Sequence, residues 1–287
     1  MKYFLILLLL VNGIIAQAAD CGYITSLRGA IEVLRLKDEN SKSTDRIGSI
    51  ATKKMKLWCS DIVVTRKAAR AKIRLVNKTT ITLGPHTRLE IQNHLNQKKD
   101  VNHLKLTYGK VRALFNPGKP EKAKTLPKKN DNKNLSRLII KTPSMVAGVR
   151  GTDFYVSFSP IRKVTEQATI EGRVVVENEV TKEKVLVEPG KQVSVKQLES
   201  EVIEKVKEEL KKGKNIQQIK NEVGIESLEK EPIKEVVKEE IRQTSAIARN
   251  DKEFTSEKAI EVLGKPENWK LPADEIPLDL KDIKEEF

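Results

Sequence analysis

The side chains able to do chemistry are few and scattered. Three histidines, His86, His94 and His103, stand 8 and 9 residues apart in a polar stretch. Zinc on a helix needs two ligands three or four residues apart, so that both reach one face, and a third nearby. This spacing supplies neither. No GxSxG, SxxK or P-loop pattern offers an activated nucleophile or a phosphate cradle. Aromatic residues are 4% of the chain, too few for a carbohydrate groove lined with stacked rings. The sequence therefore reads as non-enzymatic, with no catalytic residue, no metal site and no cofactor.

The densest signal is Lys141–Phe154, KTPSMVAGVRGTDF. Pro143 interrupts the preceding strand, and Gly148 and Gly151 open backbone conformations closed to other residues. Thr152 and Asp153 are able to bond neighbouring backbone across a bend. Arg150, planar and rich in donors, suits a turn's carbonyls or a carboxylate. Two readings stand side by side: a bend fixed between two strands, or a ligand recognised through Arg150.

The ends and the charge place these residues. Lys2 precedes an apolar run from Phe4 to Ile15, and Ala16-Gln17-Ala18 has the small-x-small form cut by signal peptidase. The run is too short to span a bilayer, which takes about 20 residues. A signal peptide over 1–18 is expected, and with it a periplasmic or otherwise exported protein. No second apolar run follows, so no membrane span is expected in the mature chain. In an oxidising compartment Cys21 and Cys59 are expected to pair. Such a bridge contributes roughly 3–4 kcal/mol on the chain-entropy account.

Residues 1–197 carry 37 Lys and Arg against 17 Asp and Glu, net +20; residues 198–287 carry 17 against 23, net −6, together the +14 of the chain. The asymmetry marks two regions with different roles. A basic exported body attracts anionic partners: an envelope protein with an acidic face, or an anionic wall or glycolipid polymer. Export and the lack of a recognised motif exclude nucleic acid. Oligomeric state leaves no trace in the sequence.

From Gly22 to Val195 the pattern alternates with period two, as in Ile31–Leu36, Ala71–Leu75, Thr80–Leu83, Leu104–Leu106, Val111–Phe115 and Phe154–Phe158. Gly84-Pro85, Asn116-Pro117-Gly118 and Pro189-Gly190 punctuate it. Many short strands with regular turns predict a mainly β domain over 19–197: a sandwich, barrel, roll or solenoid. A weak repeat runs through it. Gly29, Gly109 and Gly172 each follow a strand-like segment and precede apolar residues two and four positions on. Ile81–Ile91 likewise resembles Val185–Val195. Glycine spacings of 80 and 63 do not fit a tight solenoid. A Lys-, Pro- and Asn-rich loop is expected at about 117–134.

After Leu198 the period becomes helical. One stripe is Leu198, Val202, Ile203, Val206 and Leu210, stopped at Gly213; a second is Ile216, Ile219 and Val223, stopped at Gly224. Pro232 suits a first turn, with Ile233, Val236, Val237 and Ile241 as the next stripe, and Ser256 caps a fourth helix to Gly264. A charged helical region over 198–264 and an acidic, flexible tail over 265–287 are expected.

The Lys141–Phe154 segment resembles the signature of FecR domains, T-P-x-A-x-x-x-V-R-G-T-x-F. Thr142, Pro143, Val149, Arg150, Gly151, Thr152 and Phe154 match, and Met145 replaces the usual alanine. Ala71–Leu75 with Thr80–Pro85, Leu106–Arg112 and Ile170–Val174 resemble the family's other strands, so the likeness spans about 58–195. It implies an all-β extracytoplasmic domain with a binding or envelope-associated role. In some members it implies relay of an iron-uptake signal from an outer-membrane transporter to a sigma factor. Those members carry a cytoplasmic segment and a membrane helix ahead of the domain, where this sequence has the leader-like stretch.

Overall fold

The alternating segments are strands, and they lie in two sheets that share one strand. The structure is a computed structural model describing residues 20–37, 45–92, 102–115, 138–149, 151–245 and 261. The expected leader, the Lys-rich stretch at 117–134, His94, Arg150, the tail over 265–287 and all of the fourth helix but Glu261 lie outside the described residues.

Chain order gives β1 (Asp20–Arg28), β2 (Ile31–Leu36), β3 (Arg46–Ile50), β4 (Lys56–Trp58), β5 (Ile62–Thr65), β6 (Arg70–Leu75), β7 (Thr80–Leu83), β8 (Thr87–Gln92) and β9 (Asn102–Phe115). Then follow β10 (Leu138–Lys141), β11 (Met145–Val149), β12 (Thr152–Ser159), β13 (Val164–Glu171), β14 (Val174–Asn178), β15 (Lys184–Val187) and β16 (Lys191–Lys196). The remainder is α1 (Ser200–Lys211), α2 (Ile216–Val223), a two-residue β17 (Glu231–Pro232) and α3 (Glu235–Thr244).

The first sheet runs β4-β1-β6-β7-β9-β12-β13-β16-β17, antiparallel throughout. The second runs β3-β2-β5-β8-β9-β10-β11-β14-β15, with β9 and β10 the one parallel pair. Period-two alternation turns one set of side chains inward from each sheet. Ile73, Ile81, Val111 and Phe154 from the first merge with Val63, Leu89, Leu106, Ile140 and Val174 from the second in one apolar cluster. Each such side chain contributes about 1.5–3 kcal/mol when fully buried. Of the expected mainly β architectures, the chain adopts a two-sheet sandwich.

Strand β9 is one element where the sequence suggests two. Its first half, from His103, pairs with β8 in the second sheet; its second half, from Val111, pairs with β7 in the first. Between them Gly109 sits at φ +99°, and a Cβ there would collide with His86 O and with Thr87. The weak sequence repeat thus has a physical meaning. Gly29, Gly109 and Gly172 all stand where the chain crosses from one sheet to the other.

The other described crossings obey the same rule. Lys54, Ser60, Ala68, His86, Gly151 and Gly190, all at positive φ, carry the chain between β3 and β4, β4 and β5, β5 and β6, β7 and β8, β11 and β12, and β15 and β16. The path itself is duplicated. From β5 to β9, and again from β11 to β16, the chain makes one strand in the second sheet, a crossing, a hairpin in the first, a crossing back, a hairpin in the second, and a last crossing.

Cys21 and Cys59 form a disulfide with Cα atoms 5.1 Å apart, tying β1 to the residue that follows β4. Among the described helices, the third differs from the sequence reading. Pro232 is not in a first turn, because 231–232 pair with β16 as a strand and Ile233 N–H donates to Gly190 O. These bonds hold the chain extended, and the helix starts only at Glu235. Its stripe is correspondingly narrower. Ile233, Val237 and Ile241 are buried against Tyr155, Ala168 and Ile170 on the outer face of the first sheet, whereas Val236 is 73% exposed. Helix α3 and β17 are therefore part of the β body's packing, although the change of period sets them apart in the sequence.

Gly109→Ala is expected to destabilise the fold by about 3 kcal/mol or more, from a forced positive φ and a backbone collision together. Gly190 has φ +76° but nothing within 4 Å of its would-be Cβ. Its alanine variant should cost only about 1 kcal/mol. Equilibrium urea unfolding of the two variants measures the difference.

Candidate functional site

The described members of the Thr142–Phe154 motif occupy a turn and a crossing. Thr142 Oγ1 lies 3.1 Å from both Met145 N and Met145 O, closing the turn between β10 and β11, and sits 2.9 Å from Thr165 Oγ1. Ser144 Oγ reaches the same threonine at 2.6 Å and donates to Val195 O. Pro143 is exposed; Val149 and Phe154 are in the core. Gly151 takes φ +73°, and a Cβ on neighbouring Gly172 would come within 2.5 Å of Gly151 O and of Thr152 Cγ2. Two crossings abut there. The motif's described residues thus converge on a bend.

Asp153, inside the motif, points to the outer face and meets a residue the sequence did not single out. Arg112 of β9 donates from Nε to Asp153 Oδ1 at 2.9 Å and from a second nitrogen to Oδ2, with the two side chains 0% and 1% exposed. A further Arg112 nitrogen donates to Ser245 Oγ at 2.9 Å, at the C-terminal end of α3. Burial raises the Asp153 carboxyl above the usual range, while Arg112 pulls it back. Beside this pair Tyr155 Oη donates to Glu240 Oε2 at 2.8 Å, and Lys110 Nζ donates to Glu240 Oε1 at 2.8 Å. Arg70 Nε donates to Gln243 O at 2.7 Å. Two arginines thus meet the last turn of α3, where unsatisfied carbonyls and the negative end of the dipole favour cations.

The same helix walls a groove of about 790 Å³ along the crossings at Arg28–Gly29, Arg66–Ala68, Pro85–His86 and Gly109, closed by the β12–β13 hairpin. Seven Lys and Arg line it against two Glu. Arg66 pairs with Glu32, Lys110 with Glu240 and Arg162 with Glu166. Arg28, Lys67 and Arg88 have no acidic partner among the described residues. Burial, and then the charges of Lys67, Arg66 and Lys110, hold the His86 imidazole below its ordinary value. Exposed Ile161 and Val236 add apolar surface to the rim. Sequence reading excluded His86 from a zinc site and gave it no role; the lysines and arginines around it come from distant segments that only the crossings bring together. His103 lies in β9, away from this lining. Among the described residues no group of three His, Cys, Asp or Glu could hold a metal ion.

Arg112→Met leaves Asp153 buried without its cation, and should lower stability by about 3–5 kcal/mol. The double variant Arg112→Met/Asp153→Leu should recover most of that loss in the same unfolding assay. The depressed pKa of His86 fixes a second sign. On acidification the unfolded chain takes up this proton first, near 6.5, so the stability present above that pH is lost as pH falls through the folded value. An NMR titration should place the His86 midpoint below 6.5, and added salt should move it upward by screening the neighbouring cations.

Residues 61–175 match the family model described as FecR protein. The match opens at the start of β5 and closes inside β14, so it covers the first of the duplicated paths and most of the second. Two crystal structures of a candidate anti-sigma factor from Parabacteroides distasonis ATCC 8503, at 2.50 and 1.65 Å, align at 12% identity with TM-scores of 0.40 and 0.41. The alignment covers 66% of this chain and 64% of that one, just under two thirds of the neighbour's length. No curated protein matches the chain significantly. With its crossings, its paired strands and its turn motif in the matched segment, the chain carries a FecR domain.

Proposed function

We propose that this is an exported, non-enzymatic FecR-domain protein that binds another component of the cell envelope. One observation carries the reading: a basic groove lies beside α3, and its Arg28, Lys67 and Arg88 have no acidic partner among the described residues. Beside the groove, Arg112 is engaged with Asp153 and Tyr155 with Glu240, which supports a structural role for these buried polar groups. The Cys21–Cys59 disulfide supports an oxidising compartment, as the leader-like N-terminus does. Partners of this body are an envelope protein or an anionic wall or glycolipid polymer, held through the β domain.

A second reading is a periplasmic sensor of transmembrane signalling, of the iron-uptake type, acting through a separate membrane partner. The groove's wall favours it. Glu240, Gln243 and Thr244 of α3 line the groove while the same turn is bonded to Arg70 and Arg112, so occupancy and helix position are coupled.

Immobilised mature protein should retain a partner from envelope extract and release it at high salt, since unpaired surface charges are screened. A membrane signalling protein among the retained components selects the second reading; a wall polymer or structural protein selects the first. Recovery of the chain from cytosol with its leader intact, and nothing retained, would contradict both.

A further inference from the structure

The chemistry of the groove narrows the kind of ligand, given the binding role just proposed. Its cations fall into two sets. Those paired with Glu32, Glu240 and Glu166 are neutralised, whereas Arg28, Lys67 and Arg88 are not. At the base Arg70 is 1% exposed and keeps Nη2 without a hydrogen-bond acceptor. Burial disfavours the Arg70 charge most, and the nearby charge of Arg28 opposes it further. Among the described residues this positive potential has no counter-charge, and a buried donor stands unused. The rim is apolar as well. Ile161 of the hairpin is 59% exposed and Val236 of α3 is 73% exposed, with Pro160 beside them.

Neither an inorganic anion nor a neutral apolar molecule satisfies both features. The first leaves the apolar rim wet, and the second desolvates cations without a counter-charge. A volume of about 790 Å³ lies within the range of small-molecule sites, about 300–1,000 Å³. We propose that the groove binds a small amphiphilic anion, an apolar chain or ring carrying a phosphate or carboxylate. The head group sits among Arg28, Lys67 and Arg88, and the apolar part lies along Pro160, Ile161 and Val236.

Calorimetry of the full mature chain with monomeric dodecyl phosphate tests this. One equivalent should bind at least about tenfold more tightly than inorganic phosphate or dodecyl maltoside. Arg28→Ala/Lys67→Ala/Arg88→Ala should weaken it by about tenfold or more, with the unfolding midpoint unchanged because these side chains make no structural bond. Val236→Asp should weaken it too. The His86 titration should move upward on binding, as the new anion offsets its cationic neighbours. Laurate binding as dodecyl phosphate does supports the shared anionic chemistry; binding to phosphatidylglycerol vesicles, but not to the monomer, overturns a small-molecule site. Equal binding of the maltoside, indifference of the triple variant, or tighter binding of an alternating Glu-Leu peptide overturns the assignment. A protein that keeps its envelope partner yet ignores dodecyl phosphate loses this ligand class alone; one that retains nothing loses the binding role as well.

Discussion

A strand that passes from one sheet of a sandwich to the other must turn its backbone at the edge, and at each crossing among the described residues it turns through positive φ. Nine described crossings each carry one such residue, from Gly29 to Gly190. Left-handed backbone costs a side-chain-bearing residue about 1–2 kcal/mol, and five of the nine are glycine. Neighbouring crossings also touch. Gly29 abuts Ala69, Gly109 abuts Thr87, and Gly172 abuts Gly151 and Thr152. These contacts stack the corners along the edges of the sandwich, which allows two nine-stranded sheets with one strand in common to enclose a single core.

The crossings also explain why the molecule has a polar outer surface that needs covering. Alternation that sends Val111 and Phe154 inward sends Arg112 and Asp153 outward. A fully buried ion pair is weak as a source of stability, because desolvation offsets most of its attraction. Its consequence is positional. Arg112 and Arg70 offer donors to the last turn of α3, the apolar triplet Ile233, Val237 and Ile241 covers Tyr155, Ala168 and Ile170, and β17 fixes the helix's entry. A helix held at both ends then forms one wall of the basic groove. The site is a product of packing at distant points of the chain.

Much of the β body was legible because period-two alternation needs no tertiary knowledge. Ile31–Leu36 and Thr80–Leu83 match β2 and β7 residue for residue, and the cysteine pairing followed from the compartment rule. Strand β9 read as two pieces because Gly109 breaks the alternation at the point where the chain changes sheets. Glycine crossings showed as a weak repeat, but Lys54, Ser60, Ala68 and His86 bear no mark of positive φ in their residue type. The Arg112–Asp153 pair joins positions 41 residues apart, and nothing local announces it. Pro232 misled for a definite reason: helix-start preference is a local tendency, and pairing with β16 outweighed it.

If Gly109 joins the two sheets into one cooperative body, the amides on either side of it must open together. Native-state hydrogen exchange along β9 measures this directly, comparing His103–Leu106, bonded in the second sheet, with Val111–Leu114, bonded in the first. A shared opening free energy, equal to that of global unfolding, is the predicted result. Separate values for the two halves would mean two sheets that unfold independently, and would contradict the account.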